Sequence, residues 1–304
     1  MSGRRGPAIE VVSLRKTYGD VAAVADVSFS VARGEILGVL GHNGAGKTTT
    51  VECLQALRRP DGGTIRVAGV DPVAHPGRVR ALVGSQLQSS SLPDRLRVGE
   101  ALEFFASLRP GSRSPGELMR EWGLSDLRRR AFGDLSGGQQ QRLFVALALV
   151  NDPPVVVLDE MTTGLDPAAR RVAWELVERV RDRGATVLLV THFMDEAERL
   201  CDRLVVLSGG RVVATGSPGE LVDRHAGEVE VTFSHRGELP GLAGTPGVTG
   251  VHRSGARVVV TGTGPLLARV AHHLVTVGIE PQDLAVHRPS LEDVYLALTG
   301  QGTP

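Results

Sequence analysis

The amino-acid sequence predicts an α/β core broken by a helical insertion and followed by a small α+β unit. Three observations carry this reading. The runs "EILGVLG", "PVVVLDE" and "ATVLLVTH" are short, bounded and rich in Val and Leu, as fully buried parallel strands are, and helical segments alternate with them. A glycine-rich loop stands between the first of these runs and a helix, the order strand, loop, helix. Near residue 225 the texture changes to short strands separated by glycine turns.

Taken in order, the chain opens with strand-like segments at 9–14 and 24–31, Val-rich and alternating in polarity. "EILGVLG" leads into the loop, and "KTTTVECLQAL" continues as a helix. Residues 97–150 read as mostly helical, with apolar residues at helical spacing in "VGEALEFFASL". A helix from 167 to about 183 separates the strands at 154–160 and 185–192. Beyond a boundary expected at 224/225, three short strands precede "PLLARVAHHLVTVG", an amphipathic helix with Leu267, Val270, Leu274 and Val277 on one face. A last strand, "DLAVHR", and a last helix, "SLEDVYLALTG", complete the small unit. It carries no catalytic constellation, and assembly is expected of it rather than ligand sensing. The vicinal His272 and His273 lack a second ligand cluster in the sequence, so a metal site is not expected there.

Composition removes several function classes. The chain has 304 residues with 34 basic and 34 acidic side chains, so no bulk field draws it to nucleic acid or anionic lipid. Its longest unbroken aliphatic or aromatic run, 143–150, is eight residues, against about 20 for a membrane span. The opening "MSGRRGPAIEVV" lacks the apolar run of a secretion signal, and Cys53 and Cys201 form no C-x-x-C pair, so buried, reduced thiols in a cytosolic protein are expected. Only Lys16 and Lys47 are lysine; every other basic residue is arginine.

One of those two lysines lies in "GHNGAGKTT", which matches G-x-x-x-x-G-K-[ST] in full. Gly41, Gly44 and Gly46, with Asn43, Ala45 and Thr49, form a loop whose bare N–H groups approach phosphates at the positive end of a helix. Lys47 adds a point charge, and the Thr48 hydroxyl is suited to Mg²⁺. "VVVLDE" then ends a buried strand in Asp159 and Glu160. Asp159 is placed to hold Mg²⁺ through its shell, and Glu160 to act as general base on, or to orient, the water opposite the γ-phosphate. His192, at the end of the next strand, is a candidate contact to that phosphate.

A second loop of the same physical kind follows. In "LSGGQQQR" Ser136 is a good N-cap, Gly137 and Gly138 leave backbone N–H groups bare, and a helix begins at Gln139. The first loop already surrounds its own nucleotide, which leaves the second free to close a nucleotide held by another copy.

"LSGGQ" is the signature of ABC ATPases. The order phosphate loop, signature, "VVVLDE", "GLD", His192 resembles that family's order over about residues 8–220. The resemblance implies a P-loop ATPase core with a mixed β-sheet and a helical subdomain at about 89–150. It implies ATP as substrate with Mg²⁺, a homodimer through ATP, an integral membrane permease as partner around 88–97, and a place on the inner face of the cell membrane. It also implies that Tyr18 stacks on adenine, that Gln88 touches Mg²⁺ and the partner (with Gln86 a close rival), and that Asp166 communicates across the dimer. "GGRVVATGSPGEL" and "PSLEDVYLALTG" resemble the drug-exporting, daunorubicin-resistance-type branch. Met161 departs from the family, which usually has proline there.

Two rival functions are weaker. A soluble ABC ATPase acting on ribosomes or DNA would carry two cassettes or a long coiled coil, and this chain has neither. A non-hydrolysing assembly protein has no use for Glu160 and His192 together.

Overall fold

The computed structural model of the protein describes residues 6–86, 91–109, 111–225 and 227–300. The chain divides into two compact units, 1–218 and 219–304. The division falls at the near end of a short helix, whereas the sequence boundary was expected at its far end, where the composition changes.

In the first unit, β1 (Ile9–Tyr18) and β2 (Val21–Val31) form an antiparallel hairpin longer than the sequence segments suggest. β3 (Ile36–Leu40) feeds the glycine loop and α1 (Lys47–Leu54). β4 (Gly62–Val67) pairs with β1, and α2 (Pro76–Leu82) runs straight into β5 (Val83–Gln86). The insertion holds α3 (Val98–Ser107), α4 (Pro115–Glu121) and α5 (Gly137–Ala148), with two 3-10 turns between the last two. The chain returns through β6 (Val155–Asp159), α6 (Pro167–Asp182), β7 (Thr186–Val190) and α7 (Met194–Leu200), then the hairpin of β8 (Arg203–Ser208) and β9 (Arg211–Gly216).

These strands join in one mixed sheet of order β4-β1-β2-β9-β8-β3-β7-β6-β5. Pairings among β3, β5, β6, β7 and β8 are parallel, and every residue of β3, β6 and β7 is buried, which accounts for their unbroken apolar sequences. The consequence for function is geometric. Neighbouring parallel strands end at one edge, so the glycine loop after β3, the acidic pair after β6 and His192 after β7 emerge together. The insertion has its own buried residues, among them Leu102, Leu118, Trp122, Leu124 and Leu143. Cys53 and Cys201 are both free and buried, and burial pushes the Cys53 thiol up to about 11 and the Cys201 thiol higher still.

The second unit begins within α8 (Pro218–His225). β10 (Val229–Ser234), β11 (Val248–Ser254), β12 (Arg257–Gly262) and β13 (Ala285–His287) make an antiparallel sheet of order β11-β12-β10-β13. α9 (Leu266–Thr276) packs on it, and α10 (Leu291–Thr299) closes the chain behind a Ser290 capping box. The buried stripe of α9 is Leu266, Val270 and Leu274; Leu267 is half-buried and Val277 exposed. Leu266 therefore takes the place expected of Leu267, and the stripe ends one turn early because Val277 lies past the helix end, as its C-cap. Among the described residues no helix is long and apolar enough to cross a membrane.

Candidate nucleotide site

The phosphate loop is shaped by backbone that only glycine adopts cheaply. Gly44 and Gly46 lie at φ of 85° and 100°, and a Cβ on Gly46 would stand 2.5 Å from the carbonyl oxygen of Ala23. Gly46 is the N-cap of α1 and offers no side-chain cap, so the first N–H groups of the helix stay available. Lys47 is 5% exposed and folds back over the loop, its Nζ donating to the carbonyls of Gly41 at 2.5 Å and His42 at 3.2 Å. Burial lowers its pKa, opposed by the charges of Glu160 and Asp159. The loop from His42 to Thr49, Ala45 excepted, lines a cavity of about 350 Å³ with Ala23 and Glu160 on its other walls. Gly41 and Ala45 are buried beneath it, and Thr48 is exposed.

Behind the cavity sits the acidic pair. Asp159 is 3% exposed, and its carboxyl is pushed up to about 6, first by burial and then by the adjacent Glu160, with Lys47 pulling the other way. Glu160 has a left-handed backbone (φ 49°), a strained state for a residue with a side chain, of a kind that clusters at functional sites. Its N–H donates to the Val190 carbonyl at 2.9 Å, which ties the end of β6 to the end of β7. The same tie brings His192 within reach, with Nδ1 3.4 Å from Glu160 Oε1. Met161 is buried at 1% exposure, so the residue in the usual proline position is part of the packing under this turn.

A second cavity, of about 440 Å³, is lined by Ser136 to Gln139, Arg142, Val172 and the stretch from Gly164 to Ala169, Pro167 excepted. It shares no lining residue with the first. Ser136 caps α5 in a reciprocal box with Gln139: the Gln139 N–H donates to Ser136 Oγ at 3.4 Å, and the Ser136 N–H to Gln139 Oε1 at 3.0 Å. Asp166 caps α6, accepting from the N–H groups of Ala168 and Ala169 at 2.9 Å each. Asp166 thus lies with the signature and not with the phosphate loop. Tyr18 lines neither cavity; its ring lies 5.5 Å from Lys16 Nζ and 5.4 Å from the Arg58 guanidinium.

Gln88 lies outside the described residues. Its rival Gln86 is buried at the end of β5, and its amide donates to Gln141 on the signature helix α5. Gln55, at the end of α1, donates to Ser85 Oγ at 3.1 Å. The last two residues of β5 therefore connect, Ser85 to the phosphate-loop helix and Gln86 to the signature helix.

Residues 24–163 match the family model described as ABC transporter. Over 96% of this chain and 96% of its own length, the daunorubicin resistance ATP-binding protein DrrA3 of Streptomyces coeruleorubidus is 39% identical. Nod factor export ATP-binding protein I of Ralstonia nicotianae is 41% identical over 97% of this chain and 94% of its own. This chain belongs to the ABC transporter ATP-binding family. Among solved structures, an ATP-binding subunit of an ABC transporter superposes with a TM-score of 0.64 at 31% identity, over 71% of this chain and 92% of that one. A cassette in its ADP conformation gives the same TM-score at 23% identity, over 72% and 94%, a likeness of fold.

As an ABC ATPase the protein binds and hydrolyses ATP, and two side-chain arrangements around its site were not legible from the motifs. Phe193 lies 4.1 Å from the His192 ring, centroid to centroid, and the Arg170 guanidinium of α6 lies 4.1 Å over Phe193 while its Nη1 pairs with Asp195 at 3.3 Å. Glu196 is wholly buried one turn further on, its Oε1 accepting from Trp174 Nε1 at 3.2 Å. Burial pushes that carboxyl up, with the Thr191 and Thr162 hydroxyls and the Trp174 indole opposing. Nothing in the sequence pattern marks Arg170 or Glu196, because both effects arise between side chains distant in the chain.

The oxygen donors here suit a hard cation such as Mg²⁺. Among the described residues no three His, Cys, Asp or Glu side chains form a metal cage. Thr48 and Asp159, were they to hold it, would leave most of a shell to phosphate oxygens and water, which is how Mg²⁺ is usually held. Asp159 is also a buried carboxyl raised towards neutrality, the state that a nearby cation reverses.

Proposed function

We propose that this ABC ATPase powers export through a separate integral membrane permease, working on the inner face of the membrane as a head-to-tail homodimer that ATP closes and hydrolysis reopens. The observation that carries the reading is the pair of cavities in one chain with no lining residue in common, one with Lys47 and Glu160 and the other with the signature helix N-terminus, Arg142 and Asp166. Export is supported by the names of the two relatives, one a daunorubicin resistance protein and one a Nod factor export protein.

In this reading each residue has a defined task. The loop N–H groups from Asn43 to Thr49 and Lys47 bind the β- and γ-phosphates. Thr48 and Asp159, with Gln88, would hold Mg²⁺, which neutralises phosphate charge when bound. Glu160 accepts or directs the proton of the attacking water, and His192, steadied by Glu160 and by Phe193, contacts the γ-phosphate. Tyr18 stacks on adenine. Ser136, Gly137, Gly138 and Gln139 close over a nucleotide held by the other copy, next to Asp166 of their own chain.

The energetics permit this cycle. ATP at about a hundred times its dissociation constant stabilises the competent state by ~2.7 kcal/mol per site, so two sites give ~5.4 kcal/mol. Moving a two-state equilibrium from 1:99 to 99:1 takes about 5.5 kcal/mol. The two-site figure is an upper bound, because only affinity that differs between open and closed states contributes.

The test is affinity purification of tagged Glu160→Gln protein from native membranes in mild detergent with ATP present. A co-purifying multi-span membrane protein is expected. Recovery of ribosomal or nucleic-acid components in its place would leave the ATPase chemistry standing and remove transport.

A further inference from the structure

Among the lining residues of a third cavity, in the second unit, there is an arginine, two histidines and two threonines but no carboxylate. The unit as a whole is acidic, with nine Asp and Glu against six Arg. Arg269 is thus the one fixed charge in a lining otherwise of neutral polar and apolar surface, within a unit of opposite net charge. Its volume of about 420 Å³ falls in the range of small-molecule sites.

Helix α9 builds one wall. Arg269, His272, His273 and Thr276 stand at i, i+3, i+4 and i+7, a single helical face apart from the buried Leu266, Val270 and Leu274. The other wall is the turn from Gly241 to Pro246, a 3-10 turn with Thr245 as its C-cap. The walls are tied together at two points. His273 Nε2 donates to the Pro240 carbonyl at 2.9 Å, which places a ring proton on that nitrogen and leaves Nδ1 an acceptor in the neutral ring. Arg269 Nη1 donates to the Pro246 carbonyl at 3.1 Å, one bond from a side chain with five N–H donors.

Two glycines make room for these side chains. Gly241 and Gly247 have φ of 75° and 88°, and a Cβ at Gly247 would come within 2.7 Å of Arg269 Nη1. Thr245 is 9% exposed and its hydroxyl oxygen is closed to solvent, so it belongs to the floor of the turn and leaves Arg269 and the histidines as the polar groups that face a ligand. A metal does not suit the site, since the guanidinium repels it and no metal-ligand cluster occurs among the described residues. No aromatic ring lines the pocket other than the histidines, so no broad stacking surface for a nucleobase is present.

We propose that this pocket binds a small oxyanion, a phosphate or carboxylate group on a compact non-aromatic body, with Arg269 as its charge partner and His272 as a hydrogen-bonding neighbour. The accessory unit is then a ligand-binding unit, contrary to the expectation from its sequence, and this does not depend on the transport reading.

The experiment follows the histidine ring Cε1–H signals of the full-length protein by NMR, assigned with His272→Gln and His273→Gln, during titration with inorganic phosphate and with succinate. A saturable shift at these rings is expected with at least one of the two, weakened ~10-fold or more in Arg269→Gln, as loss of a charge-assisted bond requires. His272→Gln serves also as a second variant: without ligand it should melt as the parent does, and with ligand it should show a smaller rise in melting temperature. Vesicles containing phosphatidate form a separate arm. Shifts with the free anions mark a soluble ligand, whereas shifts with vesicles alone mark a lipid headgroup. Non-saturating shifts, shifts equal in the parent and Arg269→Gln, or no shift in any arm would overturn the proposal.

Discussion

Two helices of this chain begin at glycine-rich loops, and they are finished in opposite ways. α1 starts at Gly46, which supplies no side-chain cap, and Lys47 folds across the loop while Asp159 and Glu160 stand behind it. α5 starts at Ser136, which caps it in a reciprocal box with Gln139, and its cavity contains Arg142 but neither a lysine nor the acidic pair. The first loop is left electrically unfinished until phosphates arrive. The second is already satisfied as a helix start and presents shape and dipole with little chemistry. On the proposed reading that difference is a division of labour: one loop holds and cleaves a nucleotide, and the other completes the enclosure of a nucleotide bound elsewhere.

The comparison breaks most visibly at the first loop. Glu160→Gln should slow ATP turnover ~10²–10⁴-fold while leaving ATP binding intact, measured by phosphate release and by equilibrium binding. Near-normal turnover in that variant would take Glu160 out of the role. Ser136→Arg should abolish turnover with no change in nucleotide affinity of the monomer. An equal fall in monomer affinity would mean that the signature serves its own chain's nucleotide.

Electrostatics sharpen the contrast further. The folded-state pKa of Asp159 lies above its unfolded value, so the folded protein holds that proton more tightly and loses stability as the carboxyl ionises. The cost is absent below about pH 4, grows towards pH 6 and is constant above it. Asp159→Asn should therefore stabilise the nucleotide-free protein above pH 6, by about 2–3 kcal/mol less whatever attraction to Lys47 is lost, and leave it unchanged near pH 4. Urea melts at the two pH values measure this, and an equal gain at both would assign the effect to something other than ionisation.

The smallest effect concerns His192. Arg170→Lys keeps the charge but loses the planar stack on Phe193, worth about 0.5–1 kcal/mol, and should lower kcat roughly two- to fivefold with ATP affinity unchanged. Unaltered kcat would show that the stack does not steady the histidine.

How far the sequence exposes this architecture depends on the range of the interactions. Buried parallel strands announce themselves through unbroken apolar runs, and β3, β6 and β7 fall inside the runs expected to contain them. The phosphate loop, acidic pair and signature were legible because each is a local pattern with a fixed backbone task. The hairpin β1–β2 runs past the expected segments because its outer residues, Arg15–Tyr18 and Val21–Ala23, are mostly exposed and keep no polar–apolar alternation, and Val277 falls outside the buried stripe because periodicity does not mark where a helix stops. Contacts such as Gln86 to Gln141, or Arg170 to Phe193, join residues that no local spacing relates. The pocket beside α9 belongs to the same class: His272 and His273 stood out in the sequence, but the partners that give them a setting come from a turn some thirty residues earlier.

The central claim is that the signature loop acts on a second copy's nucleotide, and sedimentation velocity tests it most directly. Glu160→Gln protein is run with and without ATP, beside the double variant Ser136→Arg, Glu160→Gln, with bound ATP measured in both. The account predicts an ATP-dependent dimer for the first and an ATP-loaded monomer for the second. A monomer in both, or a dimer that Ser136→Arg leaves intact, would contradict it.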